Sequence, residues 1–341
     1  MNFEFRRCEG ATISASDTMN CGRITISAPA RLHFGLLSFG NPNVRQYGGV
    51  GVMVDNRSIS LAAEPHTNFM AEGPLSERIA EFAQRWKQYY ELELPHCRLQ
   101  LLHAPAQHVG LGVGTQLALS VATVLHTLRG EAVPEVPKLA QSVGRGQRSC
   151  IGSYGFSRGG LLFELGKQPE ETFATLADRI ELPESWRVVQ IRSNLATGIS
   201  GPVETKAFKH LPAVPASTTQ SLINEVTTSM LPAARCGDFD QFSESVYRYG
   251  FQAGQCFAEQ QGGPFANRQL ESWVAAIRKQ GFAGVGQSSW GPTLFVFQPS
   301  QDDALAFMNW FRQKFDAGTE IDLTSSSFNN RGVEIQVLHA T

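Results

Sequence analysis

The chain has 341 residues, is 42% hydrophobic and 18% charged, and carries a formal net charge of −2. Its length fits one large or two ordinary globular domains. The balanced charge excludes bulk attraction to nucleic acid, and the lack of a long apolar run excludes a membrane span. Residues 1–22 lack the order of a signal peptide and are expected to form a lead-in to the fold. The six cysteines include no C-x-x-C pair, so we expect reduced thiols and a cytoplasmic protein.

In the first half of the chain, strands and helices are predicted in turn. Apolar alternation predicts strands at residues 23–27, 50–54, 58–63, 98–103 and 160–164. Apolar side chains at helical spacing predict helices at residues 76–92, 115–129 and 138–143. We assign residues 23–183 to an N-terminal domain.

The pattern changes near residue 183, which we take as the domain boundary. The second half is predicted to contain strands at 186–191, 294–297 and 333–338 and helices at 218–235, 239–261 and 267–280. A few strands mixed with helices are typical of an α+β fold. Residues 184–341 are therefore expected to form a C-terminal domain.

Three alternating glycines, Gly110, Gly112 and Gly114, lead into the helix that starts at Thr115 and Gln116. Glycine lets the backbone turn tightly and approach a ligand closely, and a helix N-terminus offers unpaired N–H groups and the positive end of its dipole. Together they predict a site for a phosphate-sized anion. Gly114 is followed by Thr-Gln, which excludes a Walker A loop, and the glycine spacing does not fit the dinucleotide fingerprint. A plain strand-to-helix turn is the alternative.

Four long stretches of the chain contain no acidic residue: 24–54, 94–130, 136–163 and 281–301. Buried strands lack charge in any case, which accounts for the apolar parts. It does not account for the four basic residues without an acidic neighbour between 136 and 163. A slightly acidic protein that keeps such stretches free of carboxylates is expected to bind a polyphosphate anion there.

Two of these stretches carry basic residues suited to an anion. Arg145 and Arg148 lie among glycines beside Ser149, where guanidinium groups can pair with phosphate or carboxylate oxygens. A solvated surface loop is the alternative. Arg31 and His33 alternate onto the same face of a strand.

Polar candidates also occur in the second half of the chain. A glycine-rich turn supplies hydrogen-bond donors and an indole that can stack on a flat ligand, from Gln287, Ser288, Ser289 and Trp290. Glu204 follows a flexible turn and is the one candidate ligand for Mg²⁺, although a single acid on a loop is more often structural or solvated.

Taken together, these segments resemble the GHMP kinase superfamily and, within it, the β-ribofuranosylaminobenzene 5′-phosphate synthases. The segments that carry the resemblance are 29–35, 110–116, 145–149 and 286–293, and it extends over about residues 23–338. The last segment discriminates best, because the kinases have a glycine-rich loop there. The resemblance implies an α+β, two-domain fold with an N-terminal S5-like α/β domain and a C-terminal ferredoxin-like domain.

One position departs from that pattern. Tyr47 stands before Gly48 and Gly49, where the archaeal members of the family are expected to have an aspartate. Metal binding at this point of the site is therefore left open.

The resemblance implies a pentosyltransferase that condenses 4-aminobenzoate with phosphoribosyl pyrophosphate and releases CO₂ and pyrophosphate, as the first dedicated step of methanopterin synthesis. Mg²⁺ is expected to accompany the pyrophosphate. The residues expected to line the reacting centre are Arg31, His33, Gln287, Ser288 and Trp290. Those expected to bind the substrates are Gly110, Gly112, Gly114, Thr115, Gln116, Arg145, Arg148, Ser149 and Ser289.

Two other functions fit the same loop. A small-molecule kinase would bind ATP there, but it needs a carboxylate beside the loop, and the acid-free stretch argues against one. A regulator of the same fold would bind a ligand without turnover, but arginines and polar donors in several separate motifs favour an enzyme. A homodimer is compatible with the sequence.

Overall fold

Two β-sheets organise the part of the chain that the computed structural model describes, residues 5–6, 21–193, 206–208, 210–315 and 321–339. The first half contains β1 (Phe5–Arg6), β2 (Cys21–Ser38), β3 (Tyr47–Pro65), β4 (Met70–Glu72), α1 (Ser76–Tyr90), β5 (Cys97–His103), α2 (Val113–Leu128), α3 (Val136–Ser142), α4 (Ile151–Arg158), β6 (Leu161–Glu164) and β7 (Leu176–Ile180).

The second half contains β8 (Arg187–Ser193), α5 (Ala216–Glu225), α6 (Leu231–Cys236), α7 (Phe239–Gln255), α8 (Ala258–Gln261), α9 (Arg268–Lys279), β9 (Val285–Gln287), β10 (Leu294–Gln298), α10 (Gln301–Phe315), β11 (Ile321–Ser326) and β12 (Glu334–His339). One π-helical segment, Val226–Met230, joins α5 to α6. None of the helices in the described ranges has the length and hydropathy that a membrane crossing requires.

The long hairpin of β2 and β3 is the centre of the first sheet. Three short strands were predicted here, but they are parts of two strands of 18 and 19 residues. The pairing of β2 with β3 shifts register between Ala28 and Ala30 and again between His33 and Gly35. Such bulges bend a strand without ending it, so one strand can serve two parts of the sheet. The second shift lies at His33, one of the candidate site residues.

Among the described residues, the first sheet has eight strands, and β12, the last strand in chain order, lies inside it, between β1 and β2. Phe5 and Arg6, from the expected lead-in, pair with Gln336 and Ile335 of β12. The sequence assigned residues 184–341 to a second domain, and this boundary stays a prediction. The hydrogen bonds of β12 to β2 nevertheless show that the two halves share one sheet.

The second sheet has the order β11-β8-β10-β9, and every neighbouring pair is antiparallel. Helices α5 to α9 lie between β8 and β9, and α10 lies between β10 and β11. This β-α-β-β-α-β arrangement is that of a ferredoxin-like unit. The expectation of a mixed α+β fold with a ferredoxin-like second half is confirmed.

Aromatic side chains join the two sheets. The Phe34 ring of β2 lies 5.2 Å from the Phe295 ring of β10, and Phe297 stacks on Phe242 of α7 at 5.5 Å. Aromatic pairs at this separation add to the free energy gained by burial. Strand β2, which carries Arg31 and His33, and the second sheet therefore share a hydrophobic core.

Several elements were missed from the sequence, among them α10 and the strands β4, β7, β9 and β11. Helix α10 has a clear helical spacing, since Ala304, Phe307, Met308 and Phe311 are its buried residues. The short strand β9 lies in what was expected to be a turn, because Gly286 places its backbone close to the Phe295 ring, where a Cβ would approach to 2.5 Å.

Removal of β12 tests how the two halves depend on each other. A chain that ends before Val333 should lose about 3–5 kcal/mol of unfolding free energy, because Val333 is buried and Ile335 and Val337 pack on the core. Chemical denaturation of the two chains measures the difference. Equal midpoints would show that β12 does not stabilise the first sheet.

Candidate active site

A cleft of about 680 Å³ lies between the glycine loop of the first half and helix α7 with the 287–290 turn of the second half. Fourteen residues were predicted to line the reacting centre or to bind the substrates. Twelve of them line this cleft, and the two that do not are Gln116 and Ser288. The described part of the chain therefore brings the separate motifs together around one cleft.

Hydrogen bonds tie three of these motifs to one another. Arg31 N donates to Leu111 O at 3.0 Å, which joins β2 to the glycine loop. Ser288 Oγ accepts from His33 N at 3.0 Å and donates to Gly110 O at 2.6 Å. Ser288 is fully buried, so its role here is to hold the motifs together rather than to contact a ligand.

The glycine loop approaches its neighbours too closely for side chains. A Cβ at Gly110 would lie 2.5 Å from Ser288 O, and one at Gly112 would lie 3.1 Å from Arg31 Cβ. Both glycines have positive φ, 86° and 74°, a conformation that other residues rarely adopt. Helix α2 starts at Val113, two residues earlier than predicted, with Gly112 as its N-cap and no capping side chain. Thr115 N and Gln116 N donate to Gly112 O, and Val113 and Gly114 line the cleft, so the N–H groups of these two residues are the ones suited to an anion.

Two arginines flank the first turn of α2. A Cβ at Gly114 would lie 2.9 Å from Arg78 Nη2 and 3.4 Å from Arg145 Nη2. Arg78 also donates to Gln107 Oε1 at 2.7 Å. Arg78 was not predicted, because in the sequence it belongs to the polar face of an amphipathic helix, and its proximity to the glycine loop arises only from the packing of α1 on α2.

Arg145 is held in an unfavourable electrostatic setting. Its guanidinium lies over the Phe82 ring at 4.9 Å, and its Nε is buried without a hydrogen-bond partner in the described residues. Burial, followed by repulsion from Arg78 and Arg85, lowers the pKa of Arg145 to about 10. An anion placed between these guanidiniums would relieve that repulsion.

The described residues that line the cleft include the side chains of four arginines and two histidines but no aspartate or glutamate. The absence of acidic residues that the sequence predicted is thus a property of the cleft in these ranges. Glu204 lies outside the described residues, and its role as a metal ligand stays a prediction. No group of three metal-ligating side chains occurs among the described residues, so this donor set does not fit a resident Mg²⁺ ion.

His33 is buried beside Arg31. Burial, and then the positive charge of Arg31, hold the pKa of His33 well below its usual value, so the ring is neutral at pH 7. Its Nε2 lies 3.0 Å from Ser149 Oγ. A neutral imidazole next to a guanidinium can stabilise a polar reacting centre without adding a second positive charge.

The other end of the cleft is aromatic. Trp290 packs on Phe257 and Phe208, with ring centroids 4.7 and 5.5 Å apart. The guanidinium of Arg148 lies 4.7 Å from the centre of the Phe208 ring. The ring of Tyr47, the residue that departs from the family pattern, lies 6.2 Å from Phe208. This end offers flat apolar surface with a cation at its edge, which suits an aromatic acid.

Two other candidates have their side chains engaged by the protein. Gln287 lines the cleft, but its Oε1 accepts from Ala266 N at 2.7 Å and its Nε2 donates to Ser289 O at 3.1 Å. Gln116 is buried and donates to Gly152 O at 2.8 Å. Gln287 thus fixes the 287–289 turn to Ala266, whereas Gln116 joins α2 to the first turn of α4. The sequence could not reveal this, because it does not show the partners of an amide.

The chain has relatives of known name. It is 28% identical over 295 residues to the β-ribofuranosylphenol 5′-phosphate synthase of Methanothermobacter thermautotrophicus, covering 80% of this chain and 88% of the relative. It is 26% identical over 332 residues to the protein of the same name from Archaeoglobus fulgidus, covering 92% and 100%. The chain is a homologue of these synthases. No protein-family model matches it.

The solved structures confirm the fold. A homoserine kinase from Cytophaga hutchinsonii superposes with a TM-score of 0.66 at 15% identity, covering 96% of this chain and 100% of the kinase. The chain therefore has the fold of the GHMP kinases, as the sequence motifs implied. At this identity, the likeness concerns the fold alone.

Ser288→Ala should lower the unfolding free energy by about 1–3 kcal/mol, because it leaves His33 N and Gly110 O without their buried partner. Ser289→Ala is the matched control, since the Ser289 side chain is exposed. Urea denaturation of the three proteins measures the effect. A Ser288→Ala protein as stable as the control would show that the contact between β2, the glycine loop and the 287–290 turn does not depend on this hydroxyl.

Arg78→Gln should weaken the binding of inorganic pyrophosphate by about 10- to 100-fold, the expected loss of one charge-assisted hydrogen bond. Arg85→Gln removes the same charge two turns along the same helix, at a residue that does not line the cleft. Titration calorimetry compares the two variants. Equal weakening in both would indicate a general effect of charge rather than a contact with Arg78.

Proposed function

We propose that the chain is a β-ribofuranosylaminobenzene 5′-phosphate synthase that joins 4-aminobenzoate to phosphoribosyl pyrophosphate, in the biosynthesis of methanopterin. The names of the two archaeal relatives support this class of reaction, since they describe a ribosylated phenol 5′-phosphate as the product. A cytoplasmic location agrees with the free thiols of Cys97, Cys150, Cys236 and Cys256.

The observation that carries the proposal is the division of the cleft into two chemically different ends. One end has the N-terminus of α2 between Arg78 and Arg145, and the other has Trp290 and Phe208 with Arg148 at the edge. A kinase site needs one polyphosphate subsite and one acceptor subsite beside a carboxylate. A polyphosphate end joined to an aromatic end without carboxylates among the described residues fits a ribosyl pyrophosphate and a benzoate better.

The reaction balances without a net proton transfer. The bond from the ribose carbon to the pyrophosphate oxygen breaks and leaves an oxocarbenium-like centre. The ring carbon that bears the carboxylate, made electron-rich by the para amino group, forms the new carbon–carbon bond. The bond to the carboxylate then breaks, CO₂ leaves, and its electron pair restores the aromatic ring.

Such a reaction depends on positioning and on stabilising the leaving group. In the proposal, the α2 N-terminus with Arg78 and Arg145 binds a phosphate end of the sugar substrate. Arg31 and His33 line the reacting centre, and Trp290 lines the opposite wall. Each fixed donor aimed at developing charge can contribute about 3 kcal/mol, and holding the two reactants in one cleft adds to this.

Mg²⁺ enters the proposal only with the pyrophosphate. The described cleft residues include four arginines and no carboxylate, so the ion would arrive on the substrate's own oxygens, with Glu204 as the one protein ligand that the sequence suggests. The chemistry that Mg²⁺ supplies when bound is neutralisation of the leaving pyrophosphate.

The experiment is an assay with phosphoribosyl pyrophosphate, Mg²⁺ and either 4-aminobenzoate or 4-hydroxybenzoate, labelled in the carboxyl group. Release of labelled CO₂ and pyrophosphate with 4-aminobenzoate supports the proposal. Turnover of 4-hydroxybenzoate but not of 4-aminobenzoate would show that 4-aminobenzoate is the wrong substrate, while the type of reaction proposed would still hold. Consumption of ATP with a small alcohol and no CO₂ release would indicate a kinase, and binding without turnover a regulator.

Arg148→Ala should lower kcat/KM for 4-aminobenzoate or for phosphoribosyl pyrophosphate by at least about tenfold, because a charge-assisted hydrogen bond contributes this much or more. The substrate whose kcat/KM falls is the one that Arg148 clamps. Arg158→Ala, an exposed arginine at the end of α4, is the control. Unchanged kcat/KM values for both substrates would remove Arg148 from the site.

A further inference from the structure

The cleft contains two groups of arginines with different surroundings. The Arg145 guanidinium lies 4.9 Å from the centre of the Phe82 ring, against α1, and Arg78 stands beside it at the first turn of α2. The Arg148 guanidinium lies 4.7 Å from the centre of the Phe208 ring, in the aromatic end of the cleft. Arg145 and Arg148 are three residues apart in the chain, yet they serve different ends of the cleft.

Arg31 and His33 lie between these two ends. A Cβ at Gly112 would lie 3.3 Å from Arg31 Nε, so the Arg31 side chain follows the glycine loop. His33 Nε2 lies 3.0 Å from Ser149 Oγ, and Ser149 is next to Arg148 in the chain. The order along the cleft is therefore the N-terminus of α2, Arg31, His33 and the aromatic end.

A second cavity, of about 460 Å³, adjoins the cleft at the first arginine group. It shares Arg78, Gln107 and Arg145 with the cleft, and α1 supplies most of its other lining residues. No described residue of the aromatic end lines it. Arg85 in this cavity is paired with Glu81, whereas Arg78 donates to the neutral amide of Gln107. A group bound at Arg78 and Arg145 therefore has an opening on the side away from the aromatic end.

The stereochemistry of the proposed reaction determines which parts of the sugar lie on each side of its ring. Phosphoribosyl pyrophosphate carries its pyrophosphate on the α face of the anomeric carbon, and the proposed product is β-linked. The new bond therefore forms on the face opposite the leaving group. In a D-ribofuranose ring, the carbon that bears the 5′-phosphate lies on the same face as a β substituent. The 5′-phosphate is thus on the side from which the benzoate ring attacks.

We propose that the pyrophosphate of the sugar substrate binds at the N-terminus of α2, held by Arg78 and Arg145, and that Arg148 binds its 5′-phosphate at the other end. This polarity rests on the proposed function, and it decides which end of the substrate each arginine group holds. The pyrophosphate, the anomeric carbon and the benzoate ring then lie in line along the cleft, as attack opposite the leaving group requires. The departing pyrophosphate keeps its contacts with a helix N-terminus and two guanidiniums, which stabilise its developing charge.

The distribution of charge favours this polarity over the reverse. Pyrophosphate carries more negative charge than a phosphate monoester. The α2 end offers the guanidiniums of Arg78 and Arg145 and the positive end of a helix dipole, whereas Arg148 is the arginine that the described residues place at the aromatic end.

The loss of CO₂ favours the same assignment of Arg148. An ion pair between Arg148 and the benzoate carboxylate would stabilise the group that must leave, and so would oppose the breaking of its bond to the ring. The 5′-phosphate stays in the product. An ion pair between Arg148 and this phosphate therefore opposes no bond that breaks in the proposed reaction.

The test measures the binding of two fragments of the sugar substrate, inorganic pyrophosphate and ribose 5-phosphate, by titration calorimetry at constant ionic strength. Arg78→Gln should weaken pyrophosphate binding by about 10- to 100-fold and change ribose 5-phosphate binding less than about threefold. Arg148→Gln should have the opposite effects on the two fragments. Arg158→Gln is the matched control, because Arg158 is exposed and does not line the cleft, and it should change neither affinity.

The reverse pattern overturns the inference: weaker ribose 5-phosphate binding in Arg78→Gln and weaker pyrophosphate binding in Arg148→Gln. Equal weakening of both fragments by either variant overturns it too, as does an unaltered protein that binds neither fragment. Each variant alone distinguishes the two polarities. If Arg78→Gln does not fold, Arg145→Gln replaces it, since both arginines stand at the same turn of α2.

Calorimetry needs no turnover, so failure of this polarity and failure of the proposed function are distinguishable. Release of CO₂ in the synthase assay together with the reverse binding pattern would keep the synthase and remove the polarity. The expected binding pattern without release of CO₂ would remove the synthase reaction and keep the two anion subsites.

Discussion

The Ser288 hydroxyl accepts from His33 N and donates to Gly110 O, so two short bonds hold a strand of the first sheet, the glycine loop and a turn of the second half at one point. Each of these segments alone is a common structural element. The cleft exists because they meet, and the buried partners leave little freedom for one segment to move without the others. The glycines at 110 and 112 serve the same end, since any side chain there would separate the segments.

Around that junction, the protein places like charges together. Arg78 and Arg145 both face the start of α2, whose own dipole adds positive potential. This arrangement works against folding, because the charges repel and are partly desolvated. An anion placed between these guanidiniums would relieve the repulsion, so the arrangement favours a polyphosphate over a neutral ligand.

The parts of this site that could be predicted from sequence are those in which function leaves a local pattern. Alternation in a strand places Arg31 and His33 together, and glycine spacing marks the loop. Arg78 leaves no such pattern. It lies on an ordinary polar helix face, and it comes close to the glycine loop only through the packing of α1 on α2.

Prediction of the fold from sequence was limited in the same way. Local periodicity predicted α1, α2 and the strand at the start of the second half, since burial on one face is encoded within each segment. The length of β2 and the place of β12 depend on bulges and on pairing between the two ends of the chain, which no window of sequence contains. The hydrogen bonds of Gln116 to Gly152 O and of Gln287 to Ala266 N also join residues that are distant in the chain, so the sequence does not show them.

The position of β12 also bears on how the protein is made. Residues 334–339 are synthesised after every other element of the described fold, yet they complete the sheet that contains Arg31 and His33. While the chain is still growing on the ribosome, β2 has an open edge where β12 will pair, and such edges are prone to wrong pairing. The strand that carries Arg31 and His33 is therefore protected last, and a chain arrested in synthesis would expose that edge to chaperones or proteases.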